Sequence, residues 1–170
     1  MKIVGVIFVI ISAGSVGIRL AYAVRQRCTM IGQLIIALQL MKSELATHGT
    51  PLPETFGMIA AATSGSVAAY FSSAAKNMNS KHWLSPMDGL GMAENQLKEL
   101  QPEDPVGQIL HDLSSGLGKF NLENHLESIE SALVRLNLIY HNAEQEKIAR
   151  CRTYKTLGLC AGIALAIILI

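Results

Sequence analysis

The sequence predicts an all-α fold: a membrane-anchored helical bundle. Two long antiparallel helices continue into N- and C-terminal transmembrane segments, and three or four shorter helices pack beside them. Three observations lead there. Each end of the chain is an apolar run almost free of charge. Two long stretches between them repeat apolar residues at alternating three- and four-residue steps, the spacing of a helical seam. Aromatics make up only 5% of the residues while Leu, Ile, Ala and Met are plentiful, which favours helices over a β-sandwich or barrel.

The first apolar run has no charge from Ile3 to Ile18 and resumes after Arg19 with Leu20, Ala21, Ala23 and Val24. A helix over 3–24 rises roughly 33 Å at about 1.5 Å per residue. That crosses a hydrocarbon core of about 30 Å if Arg19 snorkels to the interface. The rival reading is a cleaved signal peptide, with Lys2 as its basic start and Ala21-Tyr22-Ala23 as a cleavage-like site. Charge placement decides for a retained anchor. Arg19, Arg25, Arg27, Lys147, Arg150, Arg152 and Lys155 lie on the central side of the two apolar runs, and only Lys2 lies outside. Basic residues beside membrane segments stay in the cytoplasm. The expected organisation is therefore an anchor at 1–24, a cytoplasmic bundle at 25–155 and a second membrane segment at 156–170, with both termini outside. The second segment alone gives only about 22 Å, so it needs the preceding turn, a thinned bilayer or its carboxylate at the far interface.

Each anchor carries a stripe of small residues at four-residue steps: Ala13, Gly17 and Ala21 in the first, Gly158, Gly162 and Ala166 in the second. Small residues at that spacing let helices approach closely in lipid, so mutual packing of the anchors is the favoured reading. The plainer one is that Gly and Ala are common in membrane helices.

Between the anchors, Ile31, Leu34, Leu38, Met41 and Leu45 form one seam. That helix should stop near 47–49, where Gly49 can adopt a left-handed cap and Pro51 and Pro53 cannot continue it. A short helix from 51–53 should bury Leu52, Phe56 and Ile59. A third, over about 66–78, should turn Val67, Tyr70 or Phe71, and Ala74 inward. Ser85, Pro86 and Asp88 look like a helix start that Gly89 and Gly91 then weaken. Asp104 before Pro105 is a clearer start, followed by the face Val106, Ile109, Leu110, Leu113 and Leu117 and ended by Gly116 and Gly118. Asn121 caps the longest helix, whose seam is Leu122, Leu126, Ile129, Leu133, Leu136, Tyr140 and Ala143, a heptad period. No Pro or Gly interrupts it before Gly158. From 122 to 170 it would measure roughly 73 Å.

No pattern in the chain carries catalysis, a metal or a cofactor. The five histidines (His48, His82, His111, His125, His141) share no ligand spacing with one another or with Cys28, Cys151 and Cys160. His111 and Asp112 are adjacent and point to different sides of a helix. His125, among Glu123, Glu127 and Glu130, reads as part of a solvated face. Ser64-Gly65-Ser66 lacks the strand–turn–helix setting of a nucleophile elbow, and no phosphate-binding loop is present. The odd cysteine count suits a reducing compartment. Cys160 reads as a small buried hydrophobe, and Cys28 and Cys151 stand beside apolar segments, where palmitoylation can occur. The basic residues near the membrane read as topology signals and anionic-lipid contacts rather than nucleic-acid readers. The sequence points to a non-enzymatic protein.

Two stretches carry a family resemblance. ALQLMKSELATHGTPLPETF, residues 37–56, resembles the ALQ-x-L-x-x-E-I-x-x-G-x-TPL-x-E-A pattern of the stage III sporulation protein AB family, and YKTLGLCAGIALAIILI from Tyr154 resembles that family's C-terminus. Leu117-Gly118 with Asn121 and His125 is similar to its LG-x-x-D-x-x-x-Q, with Asn for Asp and His for Gln. The order holds along the whole chain, with 79–100 matching poorly. The resemblance implies a mother-cell membrane protein of endospore-forming bacteria, acting around the forespore during engulfment within a channel-like complex of stage III A proteins. It implies a cytoplasmic domain similar to those of type II secretion and type IV pilus platform proteins, engaging a secretion-type ATPase, here the stage III sporulation protein AA. Those platform proteins carry two such domains, so a single-domain chain is expected to homo-oligomerise. The matching positions are Glu44, Gly49, Thr50, Pro51, Leu52, Pro53 and Glu54, plus Gly158 and Gly162. Two readings of 49–54 stand: helix–turn–helix chemistry alone, or direct partner contact. For the whole chain the alternative function is a generic two-anchor scaffold or sensor without an ATPase.

Overall fold

The computed structural model describes the backbone of residues 2–79, 85–100, 103–118 and 121–169, and the side chains of those stretches from 22 to 146. The elements in order are α1 (Lys2–Thr47), α2 (Leu52–Ala62), α3 (Gly65–Met78), α4 (Pro86–Ala93), a 3₁₀ turn (Glu94–Gln96), α5 (Pro105–Leu117) and α6 (Leu122–Leu169). Among the described residues there is no strand. The chain divides into two units. One comprises α1 through Cys28 with α6 from His141 onward, and the other runs from Thr29 to Tyr140.

Among the described residues no helix is long and apolar enough to cross a membrane. The anchor assignments on 1–24 and 156–170 fall outside the described side chains apart from 22–24, and so do the two small-residue stripes, Cys151 and Cys160. Both stretches lie on helical backbone, because α1 and α6 run without a break from Lys2 and to Leu169.

In the Thr29–Tyr140 unit, α1 and α6 are antiparallel. Lys42 pairs with Glu130, and a Cβ on Gly32 would stand 3.3 Å from Cε2 of Tyr140. Ten residues separate the two points on each helix, so one register serves both. The seam expected on α1 is the buried one: Ile31, Leu34, Leu38 and Met41 are fully enclosed and Leu45 nearly so. On α6 the middle of the seam is buried at Ile129, Leu133 and Leu136, joined by Ala132, while Leu122 at its start is exposed. Leu122 occupies the first helical turn, one residue beyond the cap, where little packs against it.

The shorter helices follow one another, α2 against α3, α3 against α4 and α4 against α5. Phe56 of α2 stacks at a tilt on Phe71 of α3, with ring centroids 5.6 Å apart. Tyr70 meets Phe71 edge-on at 5.0 Å. All three rings are buried, and each contributes about 1.5–3 kcal/mol relative to exposure. Burial holds the Tyr70 phenol well above its ordinary range, and the Glu94 carboxylate adds to the effect.

Polar side chains set the helix starts. Ser85 Oγ accepts from the Asp88 amide at 3.2 Å, Asp104 Oδ1 from the Val106 amide at 3.0 Å and Asn121 Oδ1 from the Glu123 amide at 3.1 Å. Each satisfies one of the amides that a helix start leaves unpaired.

Two glycines, Gly89 and Gly116, take on roles that their sequence reading does not assign. Gly89 and Gly91 do not break α4, which runs through both. Gly89 is buried against α3: a Cβ there would stand 2.8 Å from Cγ of Met78, and its carbonyl accepts from Asn77 Nδ2 at 3.2 Å. Gly116 does not end α5 either; the helix closes one residue later. A Cβ on Gly116 would overlap the Ser128 side chain of α6, so its role is close approach between those helices.

Gly116→Ala should therefore lower stability by about 1–3 kcal/mol through overpacking. Gly91, which faces open space, should give the opposite sign: Gly91→Ala should raise stability by about 0.5–1 kcal/mol through helix propensity. Denaturant unfolding of the full-length chain and the two variants checks both.

Candidate functional site

The residues singled out from sequence gather where α1 turns into α2. The amide of His48 donates to the Glu44 carbonyl at 3.0 Å, the last bond of the α1 ladder. Gly49 then takes φ +61°, the left-handed conformation that reverses the chain. Pro51 is extended, with φ −57° and ψ 142°, and Pro53 occupies the first turn of α2, where a missing amide hydrogen costs nothing.

Side chains then tie this turn to itself. Glu44, whose side chain is only 14% exposed, presents Oε2 to two groups across the bend. Thr50 Oγ1 donates to it at 3.3 Å, and His48 Nδ1 stands at 3.3 Å, an ion pair whenever the imidazole is protonated. On the far side, Thr55 Oγ1 donates to the Thr50 carbonyl at 3.3 Å and the Pro51 carbonyl at 3.1 Å. The Thr55 amide reaches the Pro51 carbonyl at 3.0 Å. Thr55 is fully buried, so a polar side chain sits in the core with its hydroxyl donated.

Of the seven candidate positions, the structure brings Glu44 and Thr50 into contact and uses Gly49 to shape the bend. Leu52 and Pro53 are half-buried against the bundle, whereas Pro51 and Glu54 face solvent. Glu54 lies in the first turn of α2, where the helix dipole favours a carboxylate. The sequence reading missed Thr55 and His48. Thr55 stands five residues after Thr50 and just ahead of the buried Phe56, a place where a buried Thr reads as an ordinary helix residue.

A second feature lies along α1 and α6. Gln39, Lys42, Ser43 and Ala46 of α1 and Glu130, Leu133, Val134 and Asn137 of α6 line one open groove. Elsewhere, Arg135 of α6 reaches Asp112 of α5 at 2.6 Å, which gives Asp112 a structural partner. Cys28 is buried and reduced, a poor position for a lipid-bearing thiol. Among the described residues no three or more His, Cys, Asp or Glu side chains converge on a metal position.

A sequence model of the stage III sporulation protein AB family matches residues 2–170. The chain belongs to that family. The stage III sporulation protein AB of Bacillus subtilis (strain 168) is 25% identical over 174 residues, an alignment covering 99% of each protein. A solved structure titled stage III sporulation protein AB superposes with a TM-score of 0.66 at 23% identity, covering 73% of this chain and 98% of that one. At that identity the superposition shows a shared fold. Membership gives this chain a sporulation-related role, in a family named for sporulation and not for a catalysed reaction.

The hydrogen bonds at the turn predict measurable costs. Thr55→Val keeps the shape but removes the one hydroxyl proton shared by the Thr50 and Pro51 carbonyls, and should destabilise the full-length chain by about 1–3 kcal/mol. Gly49→Ala forces a side chain into left-handed backbone and should cost about 1–2 kcal/mol. Thermal unfolding followed by circular dichroism reads both; an unchanged midpoint in Thr55→Val would remove the threonine from the account of the turn.

Proposed function

We propose that this chain is a non-enzymatic platform subunit of a sporulation-specific, secretion-like channel complex. In this reading it docks a cytoplasmic ATPase, similar to the stage III sporulation protein AA, to other stage III A membrane proteins during engulfment. Residues 1–24 and 156–170 would hold it in the mother-cell membrane around the forespore, against membrane lipid. Residues 25–155 would form the cytoplasmic domain, and both termini would lie on the outer side. The small-residue stripes Ala13/Gly17/Ala21 and Gly158/Gly162/Ala166 would pack the two anchors together.

The observation that carries the reading is the α1–α2 turn. Its backbone is held from within by Glu44, Thr50 and Thr55, yet Pro51 and Glu54 are presented to solvent. A surface ordered before binding spends little conformational entropy when a partner arrives. The turn also ends a helix that begins in the first apolar run, so a partner held there is joined to that run by continuous helix.

Two measurements test this. Full-length protein in detergent, and the 25–155 segment, should each capture the purified ATPase. Glu54→Lys should weaken capture at least ten-fold while leaving the circular dichroism spectrum unchanged. Failure of both forms to capture the ATPase would sink the docking role. For topology, Cys28 is too buried to report, so a cysteine is introduced at exposed Met92 in a chain lacking its native cysteines. It should react with a membrane-impermeant maleimide only after lysis, and rapid labelling of intact cells would overturn the cytoplasmic placement.

A further inference from the structure

The groove between α1 and α6 has properties that the platform reading leaves unused. Gln39, Ser43 and Ala46 on one wall, with Glu130, Val134 and Asn137 on the other, face away from the buried seam. Ile36 continues the first wall at helical spacing, three residues before Gln39, and Leu138 continues the second, four residues after Val134. Ile36 is 48% exposed, Val134 64% and Leu138 66%. Three large aliphatic side chains thus stand in water on one side of a helix pair, beside an exposed ion pair of Lys42 and Glu130.

Register says what fits over them. Lys42 is level with Glu130, and Gly32 is level with Tyr140. Ile36 is six residues before Lys42, which sets it level with Leu136, midway between Val134 and Leu138. A two-fold axis parallel to the helices preserves every level and lays α1 of one copy over α6 of the other. Ile36 of each copy then enters the gap between Val134 and Leu138 of its partner, a knob facing a hole. Lys42 of each copy then meets Glu130 of its partner. An axis perpendicular to the helices and centred on the aliphatic cluster would instead carry Lys42 a full twelve residues from the level of its own charge partner, measured along α1. Only the parallel axis satisfies the apolar and the charged positions together, as an isologous interface requires.

We propose that the α1–α6 groove is a self-association surface, on which a second copy of this chain docks about a two-fold axis parallel to the helices to form a four-helix layer. The surface is separate from the α1–α2 turn and does not depend on the identity of any ATPase.

Charge reversal tests it with the full-length chain, co-expressed with two different affinity tags and captured through one of them. Wild-type copies should capture each other. Lys42→Glu alone places two acids over each other, and Glu130→Lys alone places two bases together, so each should lose self-capture at least ten-fold. Co-expression of one with the other should restore it, because each copy then supplies the charge its partner lacks, although neither retains an internal pair. Val134→Glu combined with Leu138→Glu should abolish capture with helicity unchanged, since both side chains are mostly exposed. The proposal is overturned if wild-type copies do not capture each other, if the mixed charge pair fails to recover, or if the Val134/Leu138 variant still self-associates. Loss of ATPase capture by that variant with self-capture intact would assign the groove to the other partner and equally overturn it.

Discussion

The shared register of α1 and α6 is the constraint on which the Thr29–Tyr140 unit depends. It is fixed at two points, where the ring of Tyr140 lies over Gly32 and where Lys42 meets Glu130. The exposed ion pair adds at most about 1 kcal/mol by itself, so steric fit and the buried seam carry most of the specification. Several attachments of the shorter helices use positions along these two. Gln33 of α1 accepts the Ser64 amide between α2 and α3 at 3.1 Å. Ser128 and Arg135 of α6 meet Gly116 and Asp112 of α5. A slip of α1 along α6 by one helical turn, about 5.4 Å, would separate Lys42 from Glu130 and Gly32 from Tyr140 together.

The helices and most of their buried faces were legible in the sequence because their signals are local. Three- and four-residue apolar steps mark α1, α3 and α5, and Ser85, Asp104 and Asn121 announce starts that are capped as expected. Gly49 at φ +61° ends α1 as read. The failures share one cause, which is that their meaning is set by a partner far away in the chain. Gly89 and Gly116 look like helix breakers until the neighbouring helix is in place, when they become points of close approach. Leu97, buried beyond the 3₁₀ turn, has no periodic neighbours to reveal it. The Asp112–Arg135 and Lys42–Glu130 pairs link residues with no sequence relation. At the α1–α2 turn, sequence gave up Glu44, Gly49 and Thr50 but not Thr55, whose importance rests on burial alone.

A full-length relative at 25% identity is consistent with how little of this fold depends on particular residues. Most core positions require only an aliphatic side chain of suitable volume, and such cores tolerate exchange while total volume is kept. The demanding positions are few. They are the backbone of Gly49, the flat approaches at Gly32, Gly89 and Gly116, and the hydroxyls of Thr50 and Thr55.

Within the Thr29–Tyr140 unit, α1 runs from Thr29 to Thr47 with no proline and no glycine–serine pair. Sharp bends in helices arise at proline, at glycine–serine pairs, at π-bulges or where water invades the ladder. The glycine nearest the bend, Gly32, is braced by the Tyr140 ring. In mechanical terms this stretch of α1 is a strut and not a hinge. Force applied at the Gly49 bend is delivered as translation or rotation of that whole stretch, and little of it is absorbed by local flexing along the way.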